Sequence, residues 1–262
     1  MSDTEHLSVS IEDGIGRVTI DRPGAFNAID ADTAETLQAT LEELAADDDV
    51  RCLVLTGTGG VYCTGADLST FDGDERDAET LESIATPLHG SIRAMTRAPK
   101  PVVAGVNGVA AGGGLGLALA ADVVLVSAAA RFEYAYPKIG LSGDGGATWF
   151  LPRLLGLRRA QAFALLEEPI DAEEAVERGL ATEAVPADDF DERLAELTSQ
   201  LASGPTLAYA ELKTLLRESA TNTLDEQLAD EKARITGLAD TDDYAAGLRG
   251  FLEKESPTFE GR

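Results

Sequence analysis

Alternating apolar and polar residues at the start of the chain predict a β-hairpin. Leu7 to Glu12 and Ile15 to Asp21 alternate in this way on either side of Asp13-Gly14, a dipeptide that favours a tight hairpin turn. The pattern then becomes helical, because apolar residues recur every three to four positions between Asp30 and Ala46. Asp30 is a suitable N-cap for this predicted helix.

Later apolar segments predict repeated units of two strands and a helix, which are typical of a layered α/β domain. Arg51 to Gly57 predicts a buried strand that ends at a glycine. A loop at 136–146 is predicted to lead into a helix toward Leu154. Further strands are predicted at 122–127, 130–134 and 181–185, and further helices at about 78–96, 207–219, 224–238 and 242–254.

Gly204-Pro205 predicts a boundary in the chain. We expect residues 1–203 to form the core and residues 204–262 to form a helical C-terminal region. The helices of that region are amphipathic, and their apolar faces would be exposed unless they pack on the core or on a neighbouring subunit. We therefore expect the region to serve assembly. The apolar positions are Leu224, Leu228, Ile235 and Leu238.

The stretch from Gly108 to Ala121 contains three consecutive glycines between two apolar segments. Residues without a Cβ let the backbone approach another group closely. If a helix begins there, its first amide hydrogens have no intrahelical partner and can stabilise an oxyanion. Tight helix packing would explain the same glycines. A second turn of small residues, Gly59 to Leu68, also follows a predicted strand and can present amides in the same way.

Acidic residues outnumber basic ones by 47 to 21, and the formal net charge is −26. This charge makes nucleic acid and anionic membranes poor partners. Few of the basic residues are lysines, and the composition resembles that of proteins from salt-loving organisms. We therefore expect a surface adapted to high salt, where screening removes the self-repulsion. The acidic segment Phe71 to Asp77 is predicted to be mobile.

The sequence predicts neither a membrane span, nor a metal site, nor a disulfide framework. Glycines interrupt the central apolar stretch, and the first ten residues lack the basic and apolar regions of a secretory signal. Cys52, Cys63, His6 and His89 do not form a paired metal-ligand motif. We therefore expect a cytoplasmic protein without a bound metal.

Four segments together resemble the crotonase family of enoyl-CoA hydratases and isomerases: VYCTGADL, NGVAAGGGLGLALAADVVL, FEYAYPKIGLSGDGGATWFLPRLLG and GFLEKESPTFEGR. Their joint order is more specific than any one of them. The resemblance implies an α/β fold, a crotonase-like spiral of ββα units, with a C-terminal α-helical region that joins subunits into trimers or dimers of trimers. It also implies acyl-CoA thioester substrates, so coenzyme A arrives as part of the substrate and no separate cofactor is expected.

The resemblance assigns two backbone amides to the thioester oxygen, those of Ala66 in TGADL and of Gly113, the middle glycine of the triplet. Such donors stabilise the enolate oxygen that forms when the α-carbon loses a proton. The hydratases of the family carry two glutamates at the positions held here by Gly116 and Tyr136. Hydration needs one group to activate water and another to protonate carbon, so simple hydratase chemistry is disfavoured.

Asp144 in LSGDGG is the substitute, because some isomerases that resemble this chain carry an acidic residue there that moves a proton. One carboxylate facing the α- and γ-carbons can remove a proton from one and return it to the other. Asp144 could instead cap the helix that follows. We expect an isomerase, with an enoyl-CoA hydratase, an aromatic acyl-CoA dehalogenase and a non-catalytic acyl-CoA-binding protein as alternatives. The dehalogenases pair their aspartate with a tryptophan at the position of Tyr136 and a histidine at or near Arg93, and His89 lies one turn away.

The remaining assignments concern the pocket and its surroundings. We expect Glu133 to point outward, His89 to be a surface or packing residue, with a second acid–base group as the alternative, and Cys63 to be a small buried filler. Tyr136 could line the acyl pocket or donate a hydrogen bond. The resemblance assigns Ala25, Phe26, Gly65, Asp67, Leu68 and Lys254 to the coenzyme A moiety, and Gly112, Gly116 and Tyr136 to the substrate pocket.

Overall fold

The computed structural model describes residues 6–262, and in this range ten strands form two sheets. The strands are β1 (Leu7–Glu12), β2 (Ile15–Ile20), β3 (Cys52–Gly57), β4 (Val61–Cys63), β5 (Val102–Val106), β6 (Val109–Ala111), β7 (Val123–Ser127), β8 (Arg131–Glu133), β9 (Ile170–Asp171) and β10 (Glu183–Val185).

Ten α-helices lie in the same described range, together with short 3-10 turns, and none of them is long and apolar enough to cross a bilayer. The helices are α1 (Ala31–Ala46), α2 (Asp77–Arg97), α3 (Gly113–Leu119), α4 (Ala147–Leu154), α5 (Leu157–Leu166), α6 (Ala172–Arg178), α7 (Phe190–Ala202), α8 (Thr206–Glu218), α9 (Leu224–Leu238) and α10 (Asp242–Glu253).

Successive strands are divided between the two sheets. The larger sheet has the order β1-β2-β3-β5-β7-β10, and only its β1–β2 pair is antiparallel. The smaller sheet has the order β4-β6-β8-β9. The pairs β3–β4, β5–β6 and β7–β8 each place one strand in each sheet and then lead into a helix, which is α2, α3 or α4. This repetition confirms the predicted α/β fold built from ββα units with a C-terminal helical region.

The larger sheet is packed on both faces, which explains its apolar sequence. All six residues of β3 are buried, whereas β2 alternates between buried and half-buried positions. The main core lies on the side of α1 and α2. On the other side, Phe190 and Leu194 of α7 complete a second cluster, whose sheet residues are Cys52, Val54, Val103 and Leu125.

The hairpin and the first helix follow the sequence patterns. In the hairpin, Leu7 pairs with Ile20 across the strands. Asp30 caps α1, because its carboxylate accepts a hydrogen bond from the Thr33 amide at 2.9 Å. The sequence patterns do not predict β4, β6 or β9, because strands of two or three residues are too short to show alternation.

The acidic segment before α2 forms a hydrogen-bonded turn. Asp77 accepts hydrogen bonds from the amides of Asp72 at 2.9 Å and Gly73 at 2.8 Å. Arg76 pairs with Asp72 and Asp74, each at 2.8 Å. These ion pairs are exposed and contribute little to stability individually, but they close the turn from which α2 begins.

The C-terminal helices differ in how they contact the core. Helix α8 is held by Lys213, whose Nζ lies 2.7 Å from Asp122 and donates to the Met95 carbonyl at 2.8 Å. Helix α9 has no buried residue, and Leu224 and Ile235 are 73% and 69% exposed. The division of the chain at residue 204 and the assembly role of the region stay predictions.

Arg51 ties the C-terminal tail to the core. Its guanidinium donates to the carbonyl oxygens of Gly204 at 2.6 Å and Phe259 at 3.0 Å, and to the Thr206 hydroxyl at 3.1 Å. The predicted strand begins one residue later than expected, at Cys52.

Candidate active site

A cavity of about 750 Å³ lies where the start of α3, the turn after β4, helix α2 and the loop 135–144 meet. Eight of the predicted site residues line it: Phe26, Gly65, Ala66, Leu68, Gly112, Gly113, Tyr136 and Asp144. The other four, Ala25, Asp67, Gly116 and Lys254, are not among its lining residues.

Two glycine turns meet at the cavity wall at a distance that excludes side chains. A Cβ added at Gly65 would lie 2.9 Å from the Gly113 nitrogen, and one at Gly114 would lie 2.2 Å from the Cys63 carbonyl oxygen. Gly65 and Gly112 also have φ angles of +90° and +52°, which L side chains rarely adopt. Glycine is therefore required at this contact by both packing and backbone conformation.

The amides of Ala66 and Gly113 have no protein acceptor within residues 6–262. The Ile29 amide donates to the Gly65 carbonyl at 2.7 Å, and the Asp67 amide donates to the Ile29 carbonyl at 2.9 Å. Because Ile29 pairs with the residues on both sides of Ala66, the Ala66 N–H points away from Ile29. Gly113 is the first residue of α3, so its N–H has no intrahelical acceptor.

Asp144 lies on a glycine-rich loop before α4, and its carboxylate contacts His89. The Asp144 Oδ1 and His89 Nε2 atoms are 2.5 Å apart, which is a short hydrogen bond. Gly145 and Gly146 have φ angles of +58° and +72°, so the loop needs glycines to turn into α4. Helix α4 has no side-chain cap. The alternative in which Asp144 caps this helix is therefore wrong.

The expectation that His89 is merely a surface or packing residue needs correction, since its ring is the partner of Asp144. The His89 side chain is 44% exposed and that of Asp144 is 34% exposed. An imidazole N–H can donate a hydrogen bond to a carboxylate and so orient it. No local pattern in the sequence links two residues that are 55 positions apart on a helix and a loop.

Glu133 lines the cavity, although its position in an alternating pattern predicts that it points outward. Its side chain is 16% exposed and pairs with Arg131 at 2.7 Å and Lys138 at 3.0 Å. Burial alone would raise the pKa of Glu133, but the hydrogen bonds from both cations outweigh burial and lower the pKa. An ionised carboxylate held by two cations is a weak proton acceptor.

Tyr136 forms part of the cavity wall next to the Asp144 loop. Its ring packs edge to face against that of Tyr134, with the ring centroids 5.1 Å apart. The Tyr134 hydroxyl donates a hydrogen bond to the Ser142 carbonyl at 2.7 Å. The Tyr136 hydroxyl is buried and has no hydrogen-bond partner of normal geometry within residues 6–262. Burial, and then the nearby charge of Asp144, raise the pKa of Tyr136 far above its ordinary value, so the hydroxyl stays neutral.

Comparison with known proteins shows the family to which a chain with this site belongs. The model of the enoyl-CoA hydratase/isomerase family matches residues 10–262. The chain belongs to the enoyl-CoA hydratase/isomerase family.

Two relatives and one solved structure indicate the range of its similarities. Over 98% of its length the chain is 42% identical to a probable enoyl-CoA hydratase of Rhodobacter capsulatus, of which it covers 98%. It is 36% identical, again over 98% of its length, to the 1,2-epoxyphenylacetyl-CoA isomerase of Escherichia coli, of which it covers 99%. The structure of an enoyl-CoA hydratase from Bacillus anthracis matches with a TM-score of 0.92 and 28% identity, covering 98% of this chain and 100% of that one.

Gly116 is the position at which the resemblance to the crotonase family implies a glutamate in the hydratases. It was assigned to the substrate pocket, but the structure places it in the protein interior, behind the Asp144 loop. A Cβ added at Gly116 would lie 2.0 Å from the Gly145 carbonyl oxygen. In this member of the enoyl-CoA hydratase/isomerase family, Gly116 therefore supports the loop that carries Asp144 and does not face the cavity.

Three residues assigned to coenzyme A also lie away from the cavity wall. Ala25 ends a short 3-10 turn, and the Asp67 carboxylate is directed toward Arg22 at 3.1 Å. Lys254 follows the last residue of α10 with a φ of +59°. Phe26 and Leu68 do line the cavity and are 66% and 50% exposed, as expected at its mouth. In residues 6–262, no cluster of three or more His, Cys, Asp and Glu side chains is arranged to hold a metal ion.

Proposed function

We propose that this enzyme moves a carbon–carbon double bond within an acyl-CoA thioester through an enolate, with Asp144 as the acid and base. The contact between Asp144 and His89 at the cavity carries the proposal. Two other carboxylates line the cavity, and neither is as suitable. Glu133 is held by two cations, and Glu82 is exposed on α2.

The proposed reaction needs one proton carrier and two fixed donors. Asp144 removes a proton from the α-carbon of a β,γ-enoyl thioester, and the electron pair moves onto the thioester oxygen as a dienolate forms. The amides of Ala66 and Gly113 donate hydrogen bonds to that oxygen, where the negative charge develops. Asp144 then returns the proton to the γ-carbon, and the double bond lies between the α- and β-carbons.

Hydration is less well supported than isomerisation by the residues that face the cavity. It needs a second acid–base group in addition to Asp144, so that one activates water and the other protonates carbon. Gly116 has no such group, and the Tyr136 hydroxyl is buried with a raised pKa. His89 is the one neighbouring side chain that could act with Asp144, and its proposed role is to orient the carboxylate.

The wider setting of the site is part of the same proposal. Coenzyme A would contact the cavity mouth at Phe26 and Leu68, and Lys254 would reach it only from another subunit. The exposed leucines of α9 support assembly into a homotrimer or a dimer of trimers. The 47 acidic residues, against 21 basic ones, support operation at high salt. A cytoplasmic location belongs to the same proposal.

Nucleophilic catalysis is the second candidate function, because a carboxylate paired with histidine can also attack an activated aromatic ring. In that reaction the Asp144 oxygen would bond to the ring carbon that bears a halogen, and halide would leave. The dehalogenases that resemble this chain have a tryptophan where Tyr136 stands. Release of chloride from a chlorinated benzoyl-CoA, faster than isomerisation of any enoyl-CoA, would favour this second function.

The test compares Asp144→Asn with matched variants on a panel of 2-enoyl, 3-enoyl and ring-containing acyl-CoA substrates in molar salt. Asparagine has nearly the same size but cannot accept the proton, so we expect isomerisation to fall by about 10²-fold or more. Glu82→Gln removes a different cavity carboxylate and should keep nearly all the activity. His89→Gln should give an intermediate loss.

Two results would contradict the proposal. One is an Asp144→Asn variant that is folded and isomerises at the rate of the unaltered enzyme. The other is hydration of crotonyl-CoA by the unaltered enzyme that is faster than its isomerisation of every 3-enoyl-CoA in the panel.

A further inference from the structure

Arg22 lies beside the Ala66 turn but is not among the cavity-lining residues. Its Nη2 atom is 2.6 Å from Asp30 Oδ2 and 3.1 Å from Asp67 Oδ2, and Nη1 donates to the Ala28 carbonyl. The Arg22 side chain is only 12% exposed. Ion pairs that are partly buried are screened less by salt than surface pairs, so this arrangement can hold the chain in place.

The two carboxylates occupy equivalent places on either side of a β-bridge. Ile29 and Ala66 form the bridge, Asp30 directly follows Ile29, and Asp67 directly follows Ala66. Arg22 therefore fastens the two segments together one residue beyond the bridge. The bridge is also the feature that turns the Ala66 N–H away from Ile29, as its hydrogen-bond pattern requires.

Each carboxylate is anchored to its own element as well as to Arg22. Asp30 accepts a hydrogen bond from the Thr33 amide and so belongs to the start of α1. Asp67 accepts bonds from the Ser69 amide at 3.1 Å and from the Ser69 hydroxyl at 2.6 Å. Arg22 thus connects α1 to the turn that follows Ala66.

The backbone of Arg22 is held by hydrogen bonds as well as its side chain. The Arg22 amide donates to Asn27 Oδ1 at 2.9 Å, and the Asn27 amide donates to the Arg22 carbonyl at 2.9 Å. The Asn27 side chain in turn donates to the Val61 carbonyl at 2.7 Å. The network reaches from the end of β2 to β4, which precedes the Ala66 turn.

We propose that Arg22 is a positioning residue for the Ala66 amide, a role that rests on the proposed function because that amide would bind the thioester oxygen. A hydrogen-bond donor stabilises the developing charge only when it is already aimed at the oxygen. Without Arg22, Asp30 and Asp67 repel each other beside the bridge, and the turn can rotate. The donor is then displaced although no group in the cavity has changed.

The experiment measures the carbonyl directly, with butyryl-CoA carrying ¹³C at the thioester carbon. This saturated ester has no double bond to move, and its carbonyl stretch falls in frequency when donors polarise it. We compare the unaltered enzyme with Arg22→Lys and Asp67→Asn, well below the unfolding midpoint of each. Lysine lacks the second nitrogen that holds Ala28, and asparagine removes one charge while keeping the side-chain volume.

In both variants we expect at least half of the frequency shift to be lost. Turnover of a 3-enoyl-CoA should fall between about 10-fold and 10²-fold, the scale for a misplaced catalytic group, with the affinity for butyryl-CoA changed by less than about threefold. Arg193→Lys is the matched control, because Arg193 also contacts two carboxylates, Glu183 at 2.9 Å and Glu196 at 3.2 Å, but on α7. It should keep both the shift and the turnover.

The outcomes separate this inference from the function on which it rests. If the unaltered enzyme shows no shift on binding butyryl-CoA, the proposed oxyanion donors are wrong and the inference fails with them. If it shows the shift and both variants keep it, Arg22 does not position the amide, while the proposed function stands. If Arg22→Lys does not fold, the result for Asp67→Asn decides.

Discussion

Two turns face the cavity, and they are held by different forces. The Ala66 turn is held by side chains, because Arg22 joins the carboxylates on both sides of its bridge. The turn from Gly112 to Gly114 is held by backbone packing, because a side chain at Gly114 would overlap the Cys63 carbonyl. Each turn would present one amide to the same oxygen.

Because the two turns are held differently, substitutions in them should differ in whether they mainly reduce the stability of the fold or the activity. A turn held by charges can loosen while the rest of the fold remains, since its contacts are made by a few side chains near the surface. A turn held by close backbone contacts cannot change unless neighbouring strands move, because protein interiors are densely packed. We therefore expect substitutions that add a side chain against backbone in the packed turn to act first on folding, and substitutions in the charged turn to act on turnover with a smaller cost in stability.

The largest effect should come from Gly114→Ala. The added Cβ would lie 2.2 Å from the Cys63 carbonyl oxygen and 2.8 Å from the Cys63 Cβ, so backbone must shift. We expect a loss of about 3 kcal/mol or more in the free energy of unfolding, measured by urea titration. In Gly237→Ala, the control on α9, the added Cβ meets nothing within 4 Å. That variant should gain about 0.5–1 kcal/mol, and equal behaviour of the two variants would contradict the packing argument.

Gly113→Pro should have the next largest effect, this time on rate. Proline is tolerated at the first position of a helix but has no N–H, so one proposed donor is removed. We expect turnover to fall by about 10²-fold or more. Gly113→Ala keeps the N–H and brings its Cβ 2.8 Å from the flexible Leu88 side chain, so it controls for the added atoms. Near-normal turnover by a folded proline variant would rule out the Gly113 amide as a donor.

The smallest effect should be a change of stability with pH at the charged turn. Hydrogen bonds from Ser69 and the charge of Arg22 hold the pKa of Asp67 below its ordinary value of 3.8, because together they outweigh burial, which alone would raise the pKa. The ionised form therefore stabilises the fold above that value, and this stabilisation is lost as the pH falls through the lower, folded pKa. Asp67→Asn should be about 1–3 kcal/mol less stable at neutral pH, the scale of hydrogen bonds to a charged group. Unfolding titrations should show this gap closing in acid, and a gap that is constant down to about pH 2 would contradict the assignment.

The fold could be predicted in its larger elements because their patterns are long. The hairpin from Leu7 to Ile20 and the capped helix that starts after Asp30 follow period-two and helical patterns. Most of the smaller sheet could not be predicted in the same way, because β4 and β6 have three residues each and β9 has two, and only β8 matches a strand predicted from the sequence. The resemblance to the crotonase family implies such short strands, because each ββα unit contains two strands. In the structure the two strands of each unit lie in different sheets.

The sequence predicts the site only where backbone groups form it, because glycines mark those positions. Glycines at 65 and 114 mark the place where the two turns meet, because a Cβ at either position would overlap backbone atoms across the contact. The contact of His89 with Asp144 and that of Arg22 with Asp67 depend on how distant elements pack, and no local pattern in the sequence predicts them. Glu133 does alternate with the buried Phe132, but the side away from Phe132 lines the cavity, where two neighbouring cations hold the Glu133 carboxylate.

The contact between Gly116 and Gly145 constrains how this enzyme could acquire a different chemistry during evolution. A glutamate at 116 has no space, because even its Cβ would lie 2.0 Å from the Gly145 carbonyl oxygen. The loop that presents Asp144 and a hydratase-like glutamate at 116 therefore exclude each other. A change from one chemistry to the other therefore requires the backbone of the loop 143–146 to change before residue 116 or together with it. A single substitution at 116 would disrupt the loop without producing an active hydratase site.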